Sequence, residues 1–201
     1  MTDSDGREVA GSVSAALREQ AETLAAQWLD TLGADGSTDA MKALAADVIR
    51  AVAELSGDGG TDGAVAPSRA LAKAWFGAGV NRPTGMKSID ALGDVLLAAA
   101  AASIEDVPEA TSHAAFDVAS RLHRELGTVA TEMAISYDDS IAHELKNPLG
   151  AAKGAAELLQ SGEGVETEEA RAQFTALVLR NVNRTLALLD SVRGKTPNPG
   201  G

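Results

Sequence analysis

The chain has 201 residues, of which 45% are hydrophobic but only 3% aromatic, and it carries a formal net charge of −12. That charge argues against nucleic acid and anionic membrane as main partners, and the lack of any cysteine excludes disulfides and thiolate chemistry. No run of about 18 apolar residues and no basic–apolar–small leader is present, so the chain reads as soluble and cytoplasmic.

Alanine and leucine supply most of the apolar surface, which favours close-packed helices. Residues 1–6 are polar and read as a flexible tail. Arg7 to Leu32 has a helical stripe of Val13, Leu17, Ala21, Leu24, Trp28 and Leu32. Gly33 to Asp39 stops that helix and offers Ser37, Thr38 and Asp39 as caps for the next, Ala40 to Leu55. Ser56 to Gly63 is a flexible loop by composition; its carboxylates lack the ordered spacing of a calcium loop. A third helix opens at Pro67 and Ser68 and runs through Trp75 and Phe76, and a fourth spans about Lys87 to Ile104. Glu105 to Thr111 contains Pro108 and marks a turn. No period-two alternation suggests a strand.

From Ser112 to Leu159 the helical pattern continues without a convincing break. Phe116, Val118, Leu122, Leu126, Val129 and Met133 lead into Tyr137, Ile141, Leu145, Leu149 and Ala152. Gly127 is the weak point, worth about 1 kcal/mol against alanine. Ser161 to Val165 closes a hairpin, and Glu166, Glu168 and Glu169 suit the start of the last helix through the macrodipole. That helix carries Phe174, Leu177, Val178, Asn181, Thr185, Leu188 and Val192 inward. Such a hairpin exposes too much apolar surface alone; two copies about a two-fold axis make a four-helix bundle, hence a homodimer.

The chemistry concentrates in His143 to Pro148. His143 lies two residues from both Ile141 and Leu145, about 200° around the helix from each, and so points off the apolar stripe. Imidazole is nucleophilic and largely neutral near pH 7, with an ordinary pKa of about 6.5. Glu144 is placed to accept its proton or hold its tautomer. Lys146 supplies a cation able to offset a nearby anionic group, or is only solvation. Asn147 is one turn along on the face of His143. Pro148 leaves the Glu144 carbonyl without its i+4 donor and should bend the helix there.

His143-Glu-Leu-Lys-Asn-Pro-Leu149, followed by Gly154 and Glu157-Leu158-Leu159, resembles the H-box of sensor histidine kinases of the HisKA type, over about residues 128–193. The resemblance implies a dimerisation and phosphotransfer hairpin at 126–193, with His143 the phosphoacceptor and a response-regulator aspartate receiving the phosphoryl group. It implies that Asn147 positions a water in the phosphatase step. It also implies an α/β ATP-binding domain, with ATP and magnesium, that this chain does not contain. The chain alone is therefore not expected to bind ATP, hold a cofactor or metal, or autophosphorylate, and Gly194 to Gly201 reads as a linker or tail. Residues 7–125 form an all-helical input domain by position, whose helix order resembles globin-like domains of bacterial stress sensors that lack haem.

The resulting expectation is an all-α protein: a helical sensor domain joined by one long helix to the hairpin. The alternative is a dimeric scaffold, or a stand-alone phosphotransfer protein without its own kinase activity. His113 and His123 read as surface or packing residues, and Trp28, Trp75 and Phe76 as core.

Overall fold

The computed structural model describes residues 3–31, 38–54, 62–105 and 112–192. Seven helices occupy them: α1 (Asp3–Glu19), α2 (Ala21–Asp30), α3 (Asp39–Val52), α4 (Asp62–Gly77), α5 (Arg82–Glu105), α6 (Ser112–Ser161) and α7 (Glu168–Val192). Among the described residues there is no strand, so the fold is all-α as the patterning implies. Among the same residues, no helix is long and apolar enough to cross a membrane. Residues 56–61 of the loop expected at Ser56–Gly63, residues 106–111 of the turn expected at Glu105–Thr111, and the tail at 194–201 lie outside the described residues; Asp62 and Gly63 are helical and begin α4, five residues ahead of the start expected at Pro67, which lies inside the helix.

Two compact units divide the chain, Met1–Ser136 and Tyr137–Gly201, and the division falls within α6. The sequence expectation sets an input domain at 7–125 and the hairpin at 126–193. The apolar stripe does not end there: Leu126, Val129 and Met133 are all buried.

In the first unit the expected opening helix is two, separated at Gln20 (φ −90°, ψ 3°). The chain is helical from Asp3 rather than from Arg7. Thr38 caps α3, its hydroxyl accepting from the Met41 N–H at 3.3 Å, and satisfies one orphan donor of the first turn. Asn81 does the same for α5, accepting from Thr84 N–H at 2.9 Å. This cap moves the start of α5 forward to Arg82, with Pro83 in the first turn where no donor is needed.

The centre of the unit is a pair of tryptophans. Trp28 and Trp75 meet edge to face, with ring centroids 5.5 Å apart, and both are buried. The Trp28 indole N–H donates to the Ser88 carbonyl at 2.7 Å, which ties α2 to α5. Leu126 of α6 packs against α5 where Gly93 leaves room; a β-carbon there would lie 3.4 Å from the leucine methyl. Arg69 of α4 grips α6 twice: its guanidinium meets Glu132 at 2.6 Å, and its carbonyl accepts from the Ser136 hydroxyl at 3.0 Å.

Tyr137 opens the second unit and is fully buried. Desolvation pushes its hydroxyl well above the usual phenol range. With the folded value raised above the unfolded 10.0, the native state holds its proton longer than the unfolded chain does as pH rises. Stability is therefore complete below about pH 9 and falls above about pH 10. We expect the alkaline loss of unfolding free energy to be smaller in Tyr137→Phe. Parallel curves for the two proteins through about pH 11 in equilibrium denaturation would exclude this.

In the second unit, the turn between α6 and α7 uses two left-handed glycines, Gly162 (φ 76°) and Gly164 (φ 71°), at positions where a β-carbon is disfavoured. Val165 tucks in as a buried plug, and its carbonyl accepts from the Arg171 guanidinium at 3.1 Å. Thr167 caps α7 by accepting from the Ala170 N–H at 3.1 Å, while Glu168 and Glu169 sit in the first turn.

Candidate functional site

The seam of the hairpin follows from helical phase. On α6, Tyr137, Pro148, Ala152 and Ala155 are buried, and Ile141, Glu144, Leu145 and Leu159 are half-buried. On α7 the facing positions include Leu177, Asn181, Thr185 and Leu188. The polar members are satisfied within their own helix: the Asn181 amide donates to Leu177 O at 2.9 Å, and the Thr185 hydroxyl to Asn181 O at 2.9 Å. Two polar side chains can thus occupy the seam at little cost.

His143 is exposed, as its position off the stripe requires, and so are Lys146 and Asn147. His143 and Asn147 are four residues apart on one continuous helix and share its outer face. Pro148 is buried within α6, so the ring fills the seam while the Glu144 carbonyl lacks an amide donor beneath it. The proline therefore serves packing as well as the backbone of the site.

Glu144 takes a different direction from His143. Its Oε2 lies 3.7 Å from Nη2 of Arg184 on α7. Glu144 is 17 residues before the end of α6 and Arg184 is 16 after the start of α7, the register of an antiparallel hairpin. Sequence reading missed Arg184. Its position beside Thr185, on the flank of the inward stripe, was the available signal, but the register that brings it to Glu144 depends on the loop.

A second apolar stripe lies beside the seam. Leu179 (58% exposed), Val182 and Leu186 (54% exposed) repeat at steps of three and four on α7, and Leu149 is exposed on α6. The seam is one residue out of step with the sequence expectation at this point: Pro148, not Leu149, faces inward. A 3.6-residue repeat drifts across a stripe as broad as this one, so apolar residues end up on two neighbouring faces.

Residues 139–194 match the His Kinase A (phospho-acceptor) domain family. This segment is a HisKA-type phospho-acceptor domain, and it takes in the His143 box, the second half of α6 and the whole of α7. A phosphoacceptor and dimerisation role in two-component histidine kinases is what such a domain supports. The match begins at residue 139 and so does not extend to the first unit. No curated protein and no solved structure matches the chain.

The remaining candidates stand apart from this site. His113 and His123 are exposed on α6, and His113 pairs with Asp117 at 3.6 Å, one turn along. Among the described residues, no group of three or more His, Cys, Asp and Glu could hold a metal ion. Phe76 is half-buried at the end of α4.

Proposed function

We propose that the chain is the sensor and phosphotransfer region of a soluble, cytoplasmic two-component histidine kinase, phosphorylated on His143. The observation that supports it most is an exposed imidazole on the outer face of α6 inside the segment that matches a phospho-acceptor domain. One ring nitrogen attacks the γ-phosphorus of ATP held with magnesium on a separate catalytic domain. A P–N bond forms, the bond from phosphorus to the bridging oxygen breaks, and ADP leaves. The proton on the other ring nitrogen passes to Glu144 and then to water. Lys146 offsets the charge of the transferred group. The phosphoryl group next moves to a response-regulator aspartate, and Asn147 positions a water for the hydrolytic reaction. The first unit supplies the input, and α6 carries it.

The test is to incubate the chain with ATP, with and without a histidine-kinase ATP-binding domain, and look for acid-labile, base-stable phosphate on His143 by mass spectrometry. Label only with the added domain is expected. No label on a folded dimer under either condition would point to a scaffold that works through protein contacts.

Dimerisation rests on the second apolar stripe. A buried leucine contributes about 1.5–3 kcal/mol, and a two-fold axis counts each change twice. The double variant Leu179→Asp, Leu186→Asp is expected to weaken the dimer more than about 100-fold while leaving its helix content intact. Sedimentation equilibrium reads this directly; a variant that stays dimeric at micromolar concentration means the interface lies elsewhere.

A further inference from the structure

The Arg184–Glu144 pair has a consequence for the chemistry proposed at His143, and the inference rests on that reading. Consecutive residues on an α-helix point about 100° apart and do not face each other. Glu144 must therefore turn toward His143 to take its proton. The structure shows the carboxylate turned the other way, with Oε2 3.7 Å from the Arg184 guanidinium. The Glu144 side chain keeps 38% of its surface exposed and that of Arg184 keeps 64%. Glu144 is thus neither locked in the interior nor free in solvent: it sits at the mouth of the seam, between a cation on one side and the outer face of α6 on the other.

We infer that Arg184 is a positioning residue that competes with His143 for the Glu144 carboxylate. While the ion pair is closed, the carboxylate is parked against α7 and the imidazole lacks its proton acceptor. When it opens, Glu144 can swing to the adjacent residue and accept the proton released as the P–N bond forms. The pair spans both helices of the hairpin, so a shift of α7 along α6 makes or breaks it. The strength of the latch is bounded by its exposure. Ion pairs this open are weak, so removing the cation should change the rate about two- to fivefold rather than by orders of magnitude.

Four forms of the full chain test this: wild type, Arg184→Gln, Glu144→Gln and the double variant, with Arg184→Lys as the conservative control. The first readout is the ring ¹⁵N chemical shifts of His143 at fixed pH without nucleotide, which do not depend on phosphotransfer. Arg184→Gln should move them, the movement should vanish when Glu144 is also replaced, and Arg184→Lys should resemble wild type. The second readout is the rate of phosphohistidine formation with ATP and an added catalytic domain. Arg184→Gln should raise it about two- to fivefold, and again only when Glu144 is present. The inference is overturned if Arg184→Gln leaves the His143 resonances in place. It is equally overturned if the rate falls or holds steady, or if the effect is the same without Glu144. If the resonances behave as expected but no protein is labelled, the positioning stands and the phosphoacceptor reading fails.

Discussion

Replacement of His143 by glutamine is expected to reduce phosphohistidine formation to background and leave the fold and dimer unchanged. Glutamine is of similar length and polarity but has no nucleophilic nitrogen, because its amide lone pair is delocalised into the carbonyl. The side chain at this position is exposed, and surface substitutions of this kind usually alter stability by no more than about 0.5 kcal/mol. Loss of label therefore reports chemistry and not unfolding. His113 and His123 are also exposed on α6, and they supply an internal control. If either were the acceptor, the His143→Gln protein would still take up acid-labile phosphate. Mass spectrometry of the intact chain, with circular dichroism on the same samples, separates these outcomes.

The largest stability effect is expected in the first unit, at Trp28. The residue is fully buried, meets Trp75 edge to face and donates to the Ser88 carbonyl at 2.7 Å. Trp28→Ala removes the most voluminous side chain type from the core and opens a cavity that surrounding helices fill only in part, at a cost of about 3–5 kcal/mol. Edge-to-face ring pairs contribute about 0.5–1.5 kcal/mol beyond area burial, and that contribution is lost as well. Against a typical domain stability of about 5–15 kcal/mol, the change is large enough to unfold much of the unit at physiological temperature. Trp28→Phe keeps most of the apolar contact but loses the indole donor, and should cost about 1–2 kcal/mol. Urea unfolding followed by far-ultraviolet circular dichroism measures both. A loss below about 1 kcal/mol for the alanine variant would mean that the two rings are not the centre of this core.

The site was legible where local chemistry decides it. His143, Asn147 and Lys146 point outward because helical phase puts them there, and phase can be counted in a sequence. Glu144 was legible as a neighbour of His143, but its direction was not. The neighbour that orients it, Arg184, lies 40 positions further along the chain, and only a defined loop brings it into register. The two left-handed glycines, Gly162 and Gly164, and the Thr167 cap set that loop. Of the glutamates expected to start α7, Glu168 and Glu169 are in its first turn and Glu166 precedes it, yet the hydroxyl of Thr167 provides the cap. Macrodipole and cap act within the same few residues, and composition does not rank them.

Helix boundaries show the same contrast. Gln20 separates α1 from α2 although no glycine or proline marks the place. The tryptophan pair was recognisable as core from its surroundings, but that Trp28 and Trp75 touch, and that Ser88 receives the indole donor, could not be read from spacing.

By itself the sequence determined the all-helical class, the long α6, and the phosphoacceptor segment with His143 on its outer face. Each of these depends on periodicity or on adjacent residues, which are local properties of the chain. Tertiary structure alone decided that α6 is gripped by Arg69 through Glu132 and Ser136. It also decided that Pro148 rather than Leu149 enters the seam, and that Arg184 holds Glu144. These depend on which helices lie side by side and at what stagger, and that is set by the sum of many packing contacts rather than by any single stretch of residues.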